Sequence, residues 1–523
     1  MKRFFSTYIL IIACVSAWAV PARRDGQVRT AADGTQKEVF QHGNEFFHYM
    51  TDAEGNWLDE ETLLPMSEEA KTERTQSGER AIRRATKAGV SRLLAPRGPV
   101  ILVSYADQAF SNSQPDMYEW AMGENYTYDG ATGSINRYFN DVSGSRFNLW
   151  IDVYGPVTVS KNAAYYGQNS GNSDLHPDEL VMEACQLAVA QGADFSQYDS
   201  NNDGEVDWVV ILYAGKGEAD GGAANTIWPH QADLHDTGKS LQLQGKKIDH
   251  YCCLNEIDGQ TGGRCGIGTF CHEFGHIMGL PDVYATIQSA THKTCGRWDV
   301  MDYGCYNNDT KTPAAYTAYE RWWMGWMEPQ LINQAASVSL PALYDTFDAA
   351  YITDTGAGID NILYPNPTVF YMLENRQQHG WDAYIPGHGL VITKINYHSN
   401  WWSGNTVNNS SSNMGIDIIE ADGLTPSYKQ SDRENGYFGK QGDTYPSGAT
   451  SFTRVSNYPI TNIAETNGLI TFDVNGGGAP MVLDLEEREK AKEESRKIVR
   501  DGRILIIRGN KTYDILGNEN HQL

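Results

Sequence analysis

Positive charge is what this sequence most conspicuously lacks. Its 41 Lys and Arg face 66 Asp and Glu, leaving a formal net charge of −25. That balance excludes the basic face on which nucleic-acid binding depends. Long apolar runs are scarce as well. After residue 20 nothing approaches the roughly 18 consecutive apolar residues of a membrane span, so no transmembrane anchor is expected. No cysteine lies between Cys14 and Cys185, so that part of the chain offers no thiolate. A C-x-x-C pair is also missing, which leaves a cysteine-built structural zinc site unsupported.

What remains is a globular composition, 40% hydrophobic and 11% aromatic over 523 residues, with room for two to four domains. Lys2-Arg3 followed by the apolar run Phe4 to Val20 reads as a signal peptide over residues 1–19. Ala17-Trp18-Ala19 fits its cleavage site and puts the mature start near Val20. Ile11-Ile12-Ala13-Cys14 partly matches a lipobox, but the apolar run continues past Cys14 and favours simple secretion. The expected location is therefore outside the cell or on its surface. Seven cysteines remain, at 185, 252, 253, 265, 271, 295 and 305. Export favours disulfides among them, and the odd count leaves at least one thiol free.

The chemistry concentrates in GTFCHEFGHIMGLPD, residues 268–282. His272 and His276 are four apart, which on a helix places both imidazoles on one face, able to share a zinc ion. Glu273 follows the first His, where its carboxylate reaches an attacking water rather than the metal. Gly279 can take φ > 0 and stop the helix, Pro281 cannot continue it, and Asp282 is left in the turn as a third ligand. Three protein ligands with one open position make a catalytic type of zinc site. Taken singly, each part has an ordinary explanation in a helix cap, surface histidines and a turn aspartate.

H-E-x-x-H-x-x-G-x-x-D followed by Trp298-Asp-Val-Met301-Asp-Tyr303-Gly resembles the metzincin metallopeptidases, with Asp in place of a third His. GTFCHEFGHIMGLPDVY, GRWDVMDYG and PAAYTAYERWWMGWMEP together resemble the M6 family of secreted bacterial metalloproteases, of the immune inhibitor A type. The resemblance implies that Met301 forms a hydrophobic floor beneath the metal. It also implies that Tyr303 can lean towards the zinc as a hydrogen-bond donor; a merely buried tyrosine is the plain alternative.

The rest of the chain arranges itself around that stretch. Residues 20–96 read as short strands followed by a basic helical connector from Ser67 to about Leu94, with Arg74, Arg80, Arg83, Arg84, Lys87, Arg92 and Arg97 as trypsin-type sites. They form either a pro-segment shielding the site until cut away or a small N-terminal domain. A catalytic domain over 97–329 opens with the strand Pro99–Tyr105. Within it, Asp199, Asn201, Asp203, Glu205 and Asp207 space oxygen ligands around Gly204 like the start of a Ca²⁺ loop; an Asx-rich turn explains the same letters. Trp322, Trp323 and Trp326, on a helix expected over Pro313–Met327, could stack sugars but suit core packing better. Residues 330–475 show short alternating strands of a β-sandwich-like unit. Gly476–Gly478 break the chain before a charged helical run, Leu483–Val499, and a terminal hairpin resembling tails read by export machinery.

The expected fold is thus α+β: a metzincin-like zinc peptidase domain, then an all-β domain, behind an N-terminal pro-segment. The expected activity is zinc-dependent endopeptidase on protein or peptide substrates, with Glu273 as general base. Two alternatives stay open. One is a zinc hydrolase specialised for glycopeptide or cell-wall amides; the other is a surface binding protein with a structural metal site.

Overall fold

A computed structural model describes residues 18–513 apart from 45–46, 73, 76–95, 171–172, 288–289, 291, 425–437, 483–494, 501–502 and 509–510. The signal peptide up to residue 17, most of the basic connector and its tryptic sites lie outside the described residues.

The first sheet has six strands. Trp150–Thr158, Arg97–Ser104, Val209–Tyr213 and His250–Asn255 run parallel in that spatial order, followed by an antiparallel strand, His230–Asp233. Parallel strands are covered on both faces and so read as unbroken apolar runs. Val209–Tyr213, VVILY, is buried at every residue. Helix Pro177–Ala190 packs Leu180, Val181, Ala184, Cys185 and Ala188 inward. Helix Ile135–Val142 is capped by the Ser134 side chain and buries Ile135, Tyr138, Phe139 and Val142, the i, i+3, i+4, i+7 stripe of an amphipathic helix. The sixth strand, at the open edge, is Trp18–Ala19, antiparallel to His230–Asp233 with Ala19 opposite His230.

Residues 330–482 build a second layer, which extends past the break expected at Gly476–Gly478. Gln330–Leu331, Ala350–Ile352, Val369–Arg376, Gly389–Asn396 and Ile416–Ile418 form a five-stranded sheet. A four-stranded sheet contains Ile460–Thr466, Leu469–Val474, Ala336–Leu340 and Ala479–Val482. Side chains alternate across a strand, so the five-stranded sheet can serve two cores at once. Tyr371, Leu373, Leu390 and Ile392 pack with Val338, Ile470 and Phe472 of the other sheet. Phe370, Met372, Val391 and Ile395 join the core that holds Trp322, Trp323 and Trp326. Those tryptophans are packed, not displayed as a sugar platform. Their helix is also shorter than expected, Ala318–Trp323. Thr317 and Glu320 close it with a capping box, and Gly325 at φ 73° ends it.

Before the catalytic sheet, Gln27–Thr30, Gln36–Asn44, Phe47–Asp52 and Trp57–Leu58 form an antiparallel sheet around Ala31, Val39, Met50, Leu58 and Leu63. At the other end the expected helix over Leu483–Val499 is corrected in part. Ser495–Arg500 is a strand, paired with Arg503–Arg508, because Lys497, Ile498 and Val499 continue a β-rich ladder; Leu483 to Glu494 lie outside the described residues.

The disulfide expectation is also corrected: all seven cysteines are buried free thiols. Cys252 and Cys253 lie on a central strand, Cys185 and Cys271 in helices and Cys305 in a short 3-10 turn, while Cys265 and Cys295 sit in loops that are themselves buried. There each acts as a small hydrophobe, and burial pushes the Cys185 and Cys252 thiols well above their usual range. Thiol titration of the denatured, unreduced protein should count all seven, and native protein should resist alkylation for as long as it stays folded.

Candidate metal centre

Helix Gly268–Ile277 crosses the core with every residue buried except Thr269. It approaches its neighbours closely enough that side chains are excluded at particular positions. A Cβ on Gly275 would stand 2.4 Å from Met301 Sδ, so Met301 lies directly against the helix turn that carries the histidines. The helix stops as its letters require: Gly279 adopts φ 88°, and Leu280 N turns back to Gly275 O at 3.0 Å.

That turn brings three ligand atoms together. His272 Nε2 is 3.1 Å and His276 Nε2 3.3 Å from Asp282 Oδ1, with the two rings 4.9 Å apart and perpendicular. Zinc ligands at about 2.0–2.1 Å in a tetrahedron stand about 3.3 Å from one another, so the spacing fits one ion. The tautomers are set from behind. His272 Nδ1 bonds Val300 O and His276 Nδ1 bonds Leu280 O, each at 2.8 Å, which directs both Nε2 atoms inward. Burial lowers the pKa of His276, favouring the neutral imidazole that a metal needs. Burial acts to raise Asp282, but His276 and His272 outweigh it and hold the carboxyl at about 2. Glu273, buried beside them, is not part of the ligand group.

Asp282 is fixed by a residue from the downstream layer. Asn405 Oδ1 accepts from Asp282 N at 2.7 Å, and its Nδ2 donates to Asp282 Oδ2 at 2.5 Å. Asn408 Nδ2 reinforces the joint on Val283 O at 2.7 Å. Asn405→Ala should weaken zinc affinity about 10- to 100-fold in a chelator competition, the usual effect of losing an outer-shell partner. Unchanged affinity would remove Asn405 from the site.

Residues 105–329 match the family model described as immune inhibitor A peptidase M6, catalytic domain. This segment is an M6-family peptidase domain. The chain is 28% identical over 237 residues to pre-pro-metalloprotease PrtV of Vibrio cholerae serotype O1, covering 39% of this chain and 25% of that protein. It is 27% identical over 199 residues to immune inhibitor A of Bacillus thuringiensis subsp. alesti, covering 33% of this chain and 28% of that protein. The chain thus spans about a quarter of the length of the curated relatives it matches.

Across the M6 domain's metal centre lies a strand of the chain itself. Val20 N donates to Glu273 Oε1 at 2.8 Å. Four successive carbonyls are then taken by four different donors: Ala19 O by Tyr284 Oη, Val20 O by Trp228 Nε1 (3.1 Å), Pro21 O by Tyr306 Oη (2.7 Å) and Ala22 O by Tyr303 Oη. Tyr303 therefore presents its hydroxyl to a peptide carbonyl in the cleft, and its ring rests 4.4 Å from Phe438. Tyr284, Tyr306, Trp228 and Asn405 were not singled out by the sequence. The signal for the two tyrosines was available, aromatic side chains with polar tips directly after the 268–282 and 298–304 stretches.

The five residues of the calcium reading do not converge. Asp199 pairs with Lys246 Nζ at 2.5 Å and accepts from Asp203 N and Gly204 N at 3.0 Å each. Asn201 donates to Asp203 at 2.8 Å, Glu205 pairs with Lys247 at 3.0 Å, and Asp207 accepts from Ser200 N at 2.9 Å. Among the described residues, the groupings with ligand atoms within 4.8 Å of one another do not include this loop. It is an Asx-rich turn closed by its own amides and two lysines, and Ca²⁺ has no support there.

Proposed function

We propose that this chain is a secreted, zinc-dependent endopeptidase, latent until residues 20–96 are removed. The observation that carries the reading is the peptide strand at the site, with a backbone nitrogen 2.8 Å from Glu273 Oε1 and its edge paired to His230–Asp233. Peptidases commonly hold substrate by adding it as a strand to an exposed sheet edge. A cleft able to hold residues 18–22 in this way can hold another peptide.

His272, His276 and Asp282 would hold the Zn²⁺. When bound, the ion supplies Lewis acidity towards the scissile carbonyl and lowers the pKa of water at the open position. Glu273 accepts the proton of the attacking water and delivers it to the leaving amine, the atom whose place Val20 N marks. In this register the reacting carbonyl takes the place of Ala19 O, so Tyr284 Oη is the donor to the developing oxyanion, whereas Tyr303, expected in that role, holds the carbonyl of the third residue after the cut, as it now holds Ala22 O. The Val300 carbonyl keeps the first histidine in position, and Met301 lies against the same helix at Gly275. Should the leader be cut after Ala19, Val20 N becomes an α-amine lying against the general base, a still firmer block.

A digest of a peptide library by the trypsin-treated full chain tests the reading. Internal cuts that cease with a zinc chelator and return with Zn²⁺ are expected; peptides left whole under both conditions would end it.

A further inference from the structure

We propose that Asp220 and Asp258 form a subsite for a basic side chain of the peptide substrate, at the fourth residue after the cut bond; the position rests on the peptidase reading above. In the folded chain this pocket holds Arg23. Its Nη1 donates to Asp220 Oδ1 at 3.1 Å and to Asp258 Oδ2 at 2.8 Å. Its Nη2 donates to Asp309 Oδ1 at 2.5 Å and its Nε to Asp25 Oδ2 at 3.4 Å. The guanidinium also lies 5.7 Å from the centre of the Tyr306 ring.

The acidic groups are built in, not merely clustered. Arg23 is 2% exposed, Asp220 5% and Asp258 1%. Gly259 N donates to Asp220 Oδ2 at 2.6 Å. Gln260 N, Thr261 N and Thr261 Oγ1 hold Asp258 Oδ1 at 3.0, 2.7 and 3.0 Å. Each carboxylate therefore aims one fixed oxygen at the cation. Burial and the neighbouring Asp258 push the Asp220 carboxyl up to about 7 even with Arg23 in place. Two buried carboxylates side by side are strongly unfavourable without a cation between them. Asp25 belongs to the strand and departs with it, whereas Asp220, Asp258 and Asp309 belong to the M6 domain and stay.

The register follows from Glu273. The general base returns its proton to the leaving amine, so the nitrogen at its carboxylate marks the first residue after the cut. Val20 N occupies that place, and counting on from Val20 makes Arg23 the fourth residue. Its backbone is fixed as well, with Arg23 N donating to Ala219 O at 2.9 Å. A substrate running the same way along the same edge delivers its fourth side chain to the same two carboxylates.

The test uses the trypsin-treated full chain with peptides varied only at that fourth position. Arg and Lys peptides should be cut with kcat/KM at least tenfold above the Gln peptide, and Asp258→Asn should bring the ratio close to one. A ratio near one in the wild type, or an undiminished ratio in the variant, overturns the proposal. A second measurement needs no variant and no turnover. A labelled peptide of residues 18–25, with a zinc chelator present, should bind the trypsin-treated wild-type chain, freed of its own strand, at least tenfold more tightly than the same peptide with Gln for Arg23. Equal binding overturns the subsite; a clear preference without any cleavage upholds it and places the failure in the peptidase reading.

Discussion

Glu273→Gln is expected to cut turnover about a thousandfold while leaving one zinc per chain. Positioned acid–base groups contribute roughly 10²–10⁴ in rate, and Gln at this position can neither accept the water's proton nor deliver it to the amine. Zinc should stay because its three proposed ligands lie elsewhere, on His272, His276 and Asp282, which come within 3.1 and 3.3 Å of one another without Glu273. Gln also preserves a side-chain oxygen for Val20 N, so the strand at the site need not move. The comparison requires both numbers, kcat/KM on a cleaved peptide and metal content by elemental analysis. Loss of zinc with loss of activity would mean that Glu273 supports the ligand set; retained activity would mean that another group is the base.

Release of the residue 18–24 strand should raise peptidase activity of the full chain by about a hundredfold. Each carbonyl hydrogen bond to that strand contributes about 1 kcal/mol net, and three of them, from Trp228, Tyr306 and Tyr303, remain when the leader ending at Ala19 is gone. Ordering the strand costs part of that total, so an open fraction near one in a hundred is a fair expectation. Trypsin acting in the basic connector, followed by dilution, should release it. Arg23→Ala in the uncut chain should raise basal activity without any cleavage, because Asp220 and Asp258 lose the cation that draws the strand in. Activity indifferent to both treatments would mean that the strand does not block the site.

The grouping of His272, His276 and Asp282, and the turn that delivers Asp282, were legible in the sequence because each rests on local geometry. Helical spacing pairs His272 with His276, and Gly279 has to take a positive φ for the chain to double back. The central strands were legible for a similar reason, since VVILY has no other comfortable place than a covered parallel sheet. Relations across long separations were not legible. Nothing in the text around Asn405 announces a partner 123 residues earlier. Nor does Trp-Ala-Val-Pro-Ala-Arg announce that it pairs with an edge strand more than two hundred residues on. The cysteines misled for a different reason: export suggested oxidation, while their neighbours along the chain, Tyr251 and Leu254 or Phe270 and Phe274, belong to a packed interior. The acidic run at Asp199–Asp207 misled because Lys246 and Lys247, which neutralise part of it, arrive from a distant hairpin.

The clasp between Asn405 and Asp282 bears on how the protein can be dissected. A fragment trimmed to residues 97–329 would keep every letter of the zinc motif and look sufficient on paper. It would nonetheless leave the aspartate without its orienting amide, and strip the tryptophan-rich floor of the sheet that covers it. Such a fragment should come off a column metal-poor and prone to clumping, and its silence in an assay would say nothing about the intact protein.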